Sequence, residues 1–330
     1  MAATSSLYGG GGGGALTNFP ITFAKSTTWT CPCVMEAYVF VIGGGGSGGS
    51  QGKQSTTGRA QGGTAAGCAV SKLTLAAQDY VITVGAGGAP QFTYANYPNG
   101  LAGVGGSASS FVDNVGSIAT MTANAGSGGG SHVSADIAAI TSGGTATGGN
   151  LMNNTGGGVP AVTVNESITS GGSVGLWEAG HDGVGATGSK VHAGDLLQGD
   201  DGQDMTGGPA TWGEESSWFI PPLNIAMTLS RWIDPTTSSS GQTRDIVPAG
   251  AKNEGTSAQD SYNGVNNYYH NSSPLAGGIG GTGDYTYVSA GGGTLGAGGG
   301  GMYSRKNASQ VKSGAGGHGG VIIIPISLGS

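Results

Sequence analysis

The glycines of this chain are gathered into runs: Gly9–Gly14, Gly43–Gly49 (broken by Ser47), Gly126–Gly130, Gly156–Gly158, Gly277–Gly283 and Gly291–Gly301, several with one or two other residues inside them. An ordered glycine costs roughly 0.5–1 kcal/mol more backbone entropy than alanine. Summed over 72 positions, that cost exceeds any normal net folding stability severalfold. Either most of the glycine is disordered, or it permits a backbone approach that no Cβ would allow. If it is ordered, such segments pack as extended helices of about three residues per turn. These have no internal hydrogen bonds, so buried amides must pair laterally with neighbouring strands. A bundle of polyglycine-II helices meets that requirement. Collagen does not fit, because no strict Gly-X-Y register is kept.

Short β-branched or aromatic runs lie between the glycine clusters and read as strands. They are Phe19–Phe23, Ala37–Ile42, Tyr80–Val84 and Val321–Ile326. Phe40–Ile42 and Val321–Ile324 are continuously apolar, so both of their faces require cover. No segment of ten or more residues shows a convincing helical period. The expected fold is therefore mostly β: a small sandwich with polyglycine-II-like segments, long loops and little or no helix. Residues 209–275 break the pattern, with five glycines, six of the twelve prolines and three of the five tryptophans. There Trp218 and Trp232 are expected in a core.

Charged residues make up 9% of the chain, too few for an ordinary disordered tail. The net charge is −7 and the only arginines are Arg59, Arg231, Arg244 and Arg305, so no basic stripe exists to engage nucleic acid. No run is long and apolar enough for a helical membrane span. Met1–Tyr8 has neither the basic start nor the apolar core of a signal peptide, which suggests assembly in a host cytoplasm and release by lysis. Cys31, Cys33 and Cys68 form no disulfide framework. Cys31 and Cys33 would share one face of an extended segment, but a metal would need further ligands, and none is near in sequence; buried small hydrophobes is the better reading. No cofactor or metal is expected.

Taken in order, several phrases resemble the glycine-rich domain of phage tail fibres and other virion appendages. Thr28-Trp29-Thr30-Cys31-Pro32 is followed by Tyr38-Val39-Phe40-Val41-Ile42 and Gly43–Gly46. Tyr80–Val84 then runs into Gly85-Ala86-Gly87-Gly88, followed by Gly105-Gly106-Ser107-Ala108-Ser109-Ser110-Phe111. Gly296–Gly301 and Gly316–Ile324 resemble the family's closing strand. The likeness covers 28–130 and 291–326. It departs from the family's pattern at Cys31 and Cys33, which flank the proline, and between 131 and 290. On this basis the chain divides into an N-terminal attachment segment (1–27), a glycine-rich scaffold (28–150), a divergent insertion or loop region (151–290) and a closing segment (291–330). The resemblance implies a protein of the virion surface, on a tail or appendage, joined to other virion proteins through its N-terminal segment. It also implies a homo-oligomer, with a trimer favoured.

Strings that look catalytic are explained by composition. Gly45–Gly49 and Gly171–Gly175 fit a nucleophile elbow, but neither leads into a helix. Gly183–Lys190 has Ser and Lys in the wrong order for a phosphate loop. Asp195, Asp200, Asp201 and Asp204 lack calcium-loop spacing and read as a solvated turn. His181 and His192 read as loop histidines. Tyr262, Tyr268, Tyr269, Tyr285 and Tyr287 sit in Asn- and Ser-rich sequence, which is either the composition of a recognition loop or aromatic filler for a core short of bulky side chains. The leading expectation is a non-enzymatic adhesion protein that binds a host cell-surface glycan or outer-membrane protein. The alternative is a purely architectural virion or filament subunit.

Overall fold

The computed structural model describes residues 21–52, 58–94, 100–163, 167–176, 179–180, 182–183, 185–187, 217–220, 225–228, 277, 281–283, 287–290, 292–293, 295–304 and 310–328. Among them there is no helix. After β1 (Ile21–Phe23) and β2 (Thr27–Thr30), the chain makes a series of out-and-back excursions. β3 (Met35–Ile42) runs into the glycine segment 43–49 and ends at β4 (Ser50–Gln51). The return is β5 (Arg59–Ala60), residues 61–67 and β6 (Cys68–Leu75). β7 (Asp79–Thr83) leads out through 85–88 to β8 (Phe92–Thr93), and 101–107 leads back to β9 (Ser109–Asp113). β10 (Met121–Ala123) leads out through 124–130 to β11 (Ser131–His132), with return by 143–145 to β12 (Ala146–Thr147). β13 (Met152–Asn154) and 156–158 lead out again, and β14 (Ser167–Thr169) leads back through 170–176.

Gly180 and Gly183, which donate to the Thr155 and Gly158 carbonyls, precede β15 (Gly185–Thr187). β16 (Ser217–Ile220) and β17 (Ile225–Thr228) pair as an antiparallel hairpin. The bundle is rejoined at Gly277, where an added Cβ would lie 2.0 Å from the Gly171 carbonyl. β18 (Gly281–Gly283), β19 (Tyr287–Ser289), β20 (Met302–Ser304) and β21 (Gln310–Lys312) follow. Residues 313–319 then lead into the closing β22 (Gly320–Leu328).

Ten strands form a sandwich at one end. One sheet has the order β1-β22-β3-β6-β13 and the other β12-β10-β9-β7-β2. The closing strand pairs antiparallel with β3 from Gly320↔Ile42 to Leu328↔Met35, and its register shifts between Pro325 and Ser327, beside the residue with no N–H to give the ladder. Strand alternation divides the apolar runs into two layers. Val39, Val41, Val321 and Ile323 face Tyr80, Ile82, Phe111 and Met121 between the sheets. Phe40, Ile42, Ile322 and Ile324 point the other way, where Val174, Leu176 and Ala297 cover them. The central strands β3 and β22 are thus buried on both faces, which is why they read as apolar runs. Trp29 and Phe111 flank Tyr80, with ring centroids 5.8 and 5.0 Å away.

Beyond the sandwich the chain forms a polyglycine-II bundle. Along 43–50 the amide donors cycle through three neighbours with a period of three. Gly43, Gly46 and Gly49 donate to the carbonyls of Gly67, Thr64 and Gln61. Gly44, Ser47 and Ser50 donate to Ser107, Val104 and Leu101, and Gly45 and Gly48 to Gly317 and Gly314. The carbonyls of this segment accept from three further segments: from Gly126 and Gly129, from Gly299 and Met302, and from Gly88. The 43–49 segment is therefore surrounded by six others. Residues 61–67 are a second such axis, donating to 124–130, to 296–299 and to Gly157, while Gly144 and Gly172 donate to it. At about 3.1 Å per residue the 43–49 segment spans roughly 22 Å.

Two predictions follow from this packing. A Cβ on Gly46 would lie 1.9 Å from the Ser127 carbonyl oxygen, whereas one on exposed Gly105 would meet nothing nearer than 3.2 Å. Gly46→Ala should cost more than about 3 kcal/mol and Gly105→Ala under about 1 kcal/mol, read from denaturation curves. The second concerns the β9–β10 turn at the far side of the sandwich. Burial raises the Asp113 pKa, but hydrogen bonds from the Ser117 hydroxyl and the N–H groups of Gly116, Ile118 and Ser117 outweigh it, and the carboxyl titrates below its ordinary value. A depressed carboxylate stabilises the fold above its unfolded pKa of about 3.9 and loses that contribution as pH falls through the folded value. Asp113→Asn should therefore lower the melting temperature at pH 7 and flatten its fall below about pH 4.

Candidate recognition surface

At the end opposite the sandwich the glycine segments give way to three small sheets, ordered β11-β5-β14-β15, β18-β20-β4 and β19-β21-β8. They form one layer: β4 contacts β5, β8, β11 and β21, and β20 contacts β5, β19 and β21. Every described excursion reaches this layer. Side chains reappear here because the strands part enough to admit a Cβ, and polar ones are buried beside an apolar cluster of Ala60, Ile168 and Tyr303. Ser50 Oγ lies 2.7 Å from Thr93 Oγ1 and donates to the Val311 carbonyl at 3.0 Å. Gln61 Nε2 donates to the carbonyls of Ala138 (2.9 Å) and Pro160 (2.8 Å), and its Oε1 accepts from Gly130 N–H at 3.0 Å. Arg59, 6% exposed, donates from Nη1 to Asp136 Oδ1 at 2.8 Å and to the Ser134 carbonyl at 3.0 Å. Gln61 and Arg59 thus fix the 133–142 loop, whose base is closed by the bridges Ile137↔Val162 and Ile140↔Val159.

Of the tyrosines singled out in the sequence, Tyr262, Tyr268, Tyr269 and Tyr285 lie outside the described residues. Tyr287 opens β19, level with Gln310 of β21. Trp218 lies in the β16–β17 hairpin opposite Met227, and Trp232, His181, His192, Asp195, Asp200, Asp201 and Asp204 lie outside the described residues. The sequence reading passed over Phe92 and Tyr94, the exposed aromatics of β8 and its end. The run Phe92-Thr93-Tyr94 carries the alternation that could have revealed them.

Of the catalytic-looking strings, Gly45–Gly49 and Gly171–Gly175 lie within the bundle, and Gly183–Lys190 lies partly outside the described residues. Ser47 is buried at the bundle axis, where its Oγ accepts from Val104 N–H at 2.8 Å. Asp182 Oδ1 accepts from Gly158 N–H at 2.6 Å. Cys31 and Cys68 are buried and Cys33 half-buried, all three with free thiols. Burial pushes the Cys31 thiol up to about 11, its Sγ donating to the Cys33 carbonyl at 3.0 Å, and burial raises Cys68 as well. Both stay protonated at neutral pH and act as core side chains. Among the described residues no three His, Cys, Asp or Glu side chains converge as a metal site would require.

The architecture is that of a glycine-rich bundle mounted on a β-sandwich and carrying its side-chain diversity at the free end. A family model described as a glycine-rich domain matches residues 21–219, three-fifths of the chain, and the chain belongs to that family. The match begins at β1 and runs past residue 130, through the excursion that contains β13 and β14. A search of curated proteins found no match.

One polar side chain in the end layer is unsatisfied. Gln51 is fully buried, and among the described residues neither amide atom has a hydrogen-bond partner. An unpaired buried amide costs about 1–3 kcal/mol. Gln51→Met should therefore raise stability by about 1 kcal/mol, measured by chemical denaturation.

Proposed function

We propose that this protein is a structural and adhesive component of a phage virion, of the tail-fibre or fibre-tip type, which binds the host surface without catalysis. The observation that carries this reading is the common end at which the excursions turn. A rigid bundle that presents many chain reversals on one face lowers the ordering cost of binding there. Residues 188–276 are the longest stretch of sequence between consecutive bundle segments, from β15 to Gly277. Their composition is aromatic, polar and mostly uncharged, which suits a cell-surface glycan or an outer-membrane loop. Tyr262, Tyr268, Tyr269, Tyr285 and Tyr287 are the proposed contact residues. In this reading other virion proteins are engaged through the N-terminal segment, and the protein works as a homotrimer on the virion surface.

Adsorption of the purified, labelled chain to host cells tests this. Tyr268→Ala/Tyr269→Ala should leave melting unchanged and weaken adsorption about tenfold, the effect of losing anchors worth roughly 1 kcal/mol or more. Full adsorption after all five tyrosines are replaced would leave an architectural role in its place.

A further inference from the structure

The outermost sheet of the end layer, β19-β21-β8, has a buried side and an open side. Thr93 and Val311 are fully buried, with Thr93 tied to Ser50. Strand alternation therefore turns Phe92 and Tyr94 outward, where they are 41% and 44% exposed. On β21 the outward positions are Gln310 and Lys312, both half-exposed. The register sets Lys312 opposite Phe92 and Val311 opposite Thr93, so the next rung brings Gln310 level with Tyr94. On the other side of β21, Tyr287 is level with Gln310 and Ser289 with Lys312. The open side thus has two rungs on β8 and β21: Phe92 beside Lys312, and Tyr94 beside Gln310.

We propose that this face is a binding platform for a neutral saccharide chain. Two rings about 6.7 Å apart along an edge strand offer flat apolar surface for the C–H faces of sugar rings. The Gln310 amide beside Tyr94 supplies donors and an acceptor for sugar hydroxyls. Size selects the occupant. Three strands about 4.8 Å apart and two to three residues long present roughly 10 Å by 10 Å, far below the roughly 800 Å² per partner of a stable protein interface. Such a face fits one or two sugar rings, and β8 is an edge strand, so a longer glycan can run past it. Charge selects further: with 18 acidic against 11 basic residues, the chain repels a polyanion at long range. The proposal deepens the adhesion reading and rests on it for its biological setting, but it is built from scaffold residues outside 188–276.

The test is retention of the intact chain on immobilised oligosaccharides: glucan, galactan and N-acetylglucosamine oligomers, with polyuronate as the acidic comparison. At least one neutral class should retain the protein, with little change between 0.05 and 0.5 M salt, order-of-magnitude bounds for strong and weak screening (about 14 and 4 Å). Phe92→Ala/Tyr94→Ala should weaken retention at least tenfold, and Tyr94→Phe should keep most of it. Saturation-transfer NMR from aromatic protons to the sugar in the unmodified chain gives the same answer without a substitution. The proposal is overturned if no neutral oligosaccharide is retained, if polyuronate is preferred, or if removing both rings changes nothing. Loss of an oligomer in the double variant without loss of sugar binding would equally overturn it, in favour of a contact between copies. If cell adsorption survives Phe92→Ala/Tyr94→Ala but not Tyr268→Ala/Tyr269→Ala, adhesion stands and this platform does not.

Discussion

The structure depends on one requirement: each buried amide of a segment with no side chains must find a carbonyl on a neighbouring segment. A helix with three residues per turn sends successive N–H groups in three directions. The 43–50 segment satisfies all three with 61–67, 101–107 and 314–317, and its carbonyls are taken by three other segments. Six neighbours are possible only if backbones approach where a Cβ would otherwise stand. Glycine is therefore required by geometry here, and its entropic cost is offset by a fully paired interior.

Lateral pairing alone cannot set which residue meets which. A glycine segment can slip by three residues and recover an equivalent pattern of bonds, because no side chain distinguishes the two registers. The sandwich supplies that information. Its strands carry β-branched and aromatic residues that fit in one register, such as Ile322↔Phe40 and Val41↔Ala69. Each strand then delivers its glycine segment into the bundle at a fixed height. The few larger residues inside the bundle reinforce the setting. Ser47 locks to Val104, and Thr64 Oγ1 accepts from Ser127 N–H. The sandwich and the bundle are thus one cooperative unit, although β3 and β22 lie at opposite ends of the sequence.

This division explains what the sequence reveals. The double-sided burial of β3 and β22 was legible because each is an apolar run, and the bundle was legible because ordered glycine leaves few other packings. β6 was not read as a strand, since Ser71 and Lys72 interrupt its apolar alternation, yet it pairs along the full length of β3. Residues 152–183 carry no phrase that marks them as scaffold. Their place follows from bonds such as Gly157 N–H to the Ser173 carbonyl and Gly172 N–H to the Gly63 carbonyl. Backbone pairing of this kind leaves no side-chain signature. The proposed binding face was harder still: Phe92 and Tyr94 gain meaning only once β21 and β19 are set beside them.

The same physics limits where a fold of this kind can act. The middle of the bundle is nearly all backbone and identical from one turn to the next, so it has little with which to discriminate one ligand from another. Most of the sandwich's large side chains are consumed by its two cores. The end layer is the part where strands separate, where side chains such as Arg59 and Gln61 hold loops in place, and where aromatic rings remain exposed. It is also where substitutions are least constrained by neighbouring backbone. A protein built this way can vary its loops and outer side chains freely while the glycine interior stays fixed, and specificity is driven to the end farthest from the sandwich.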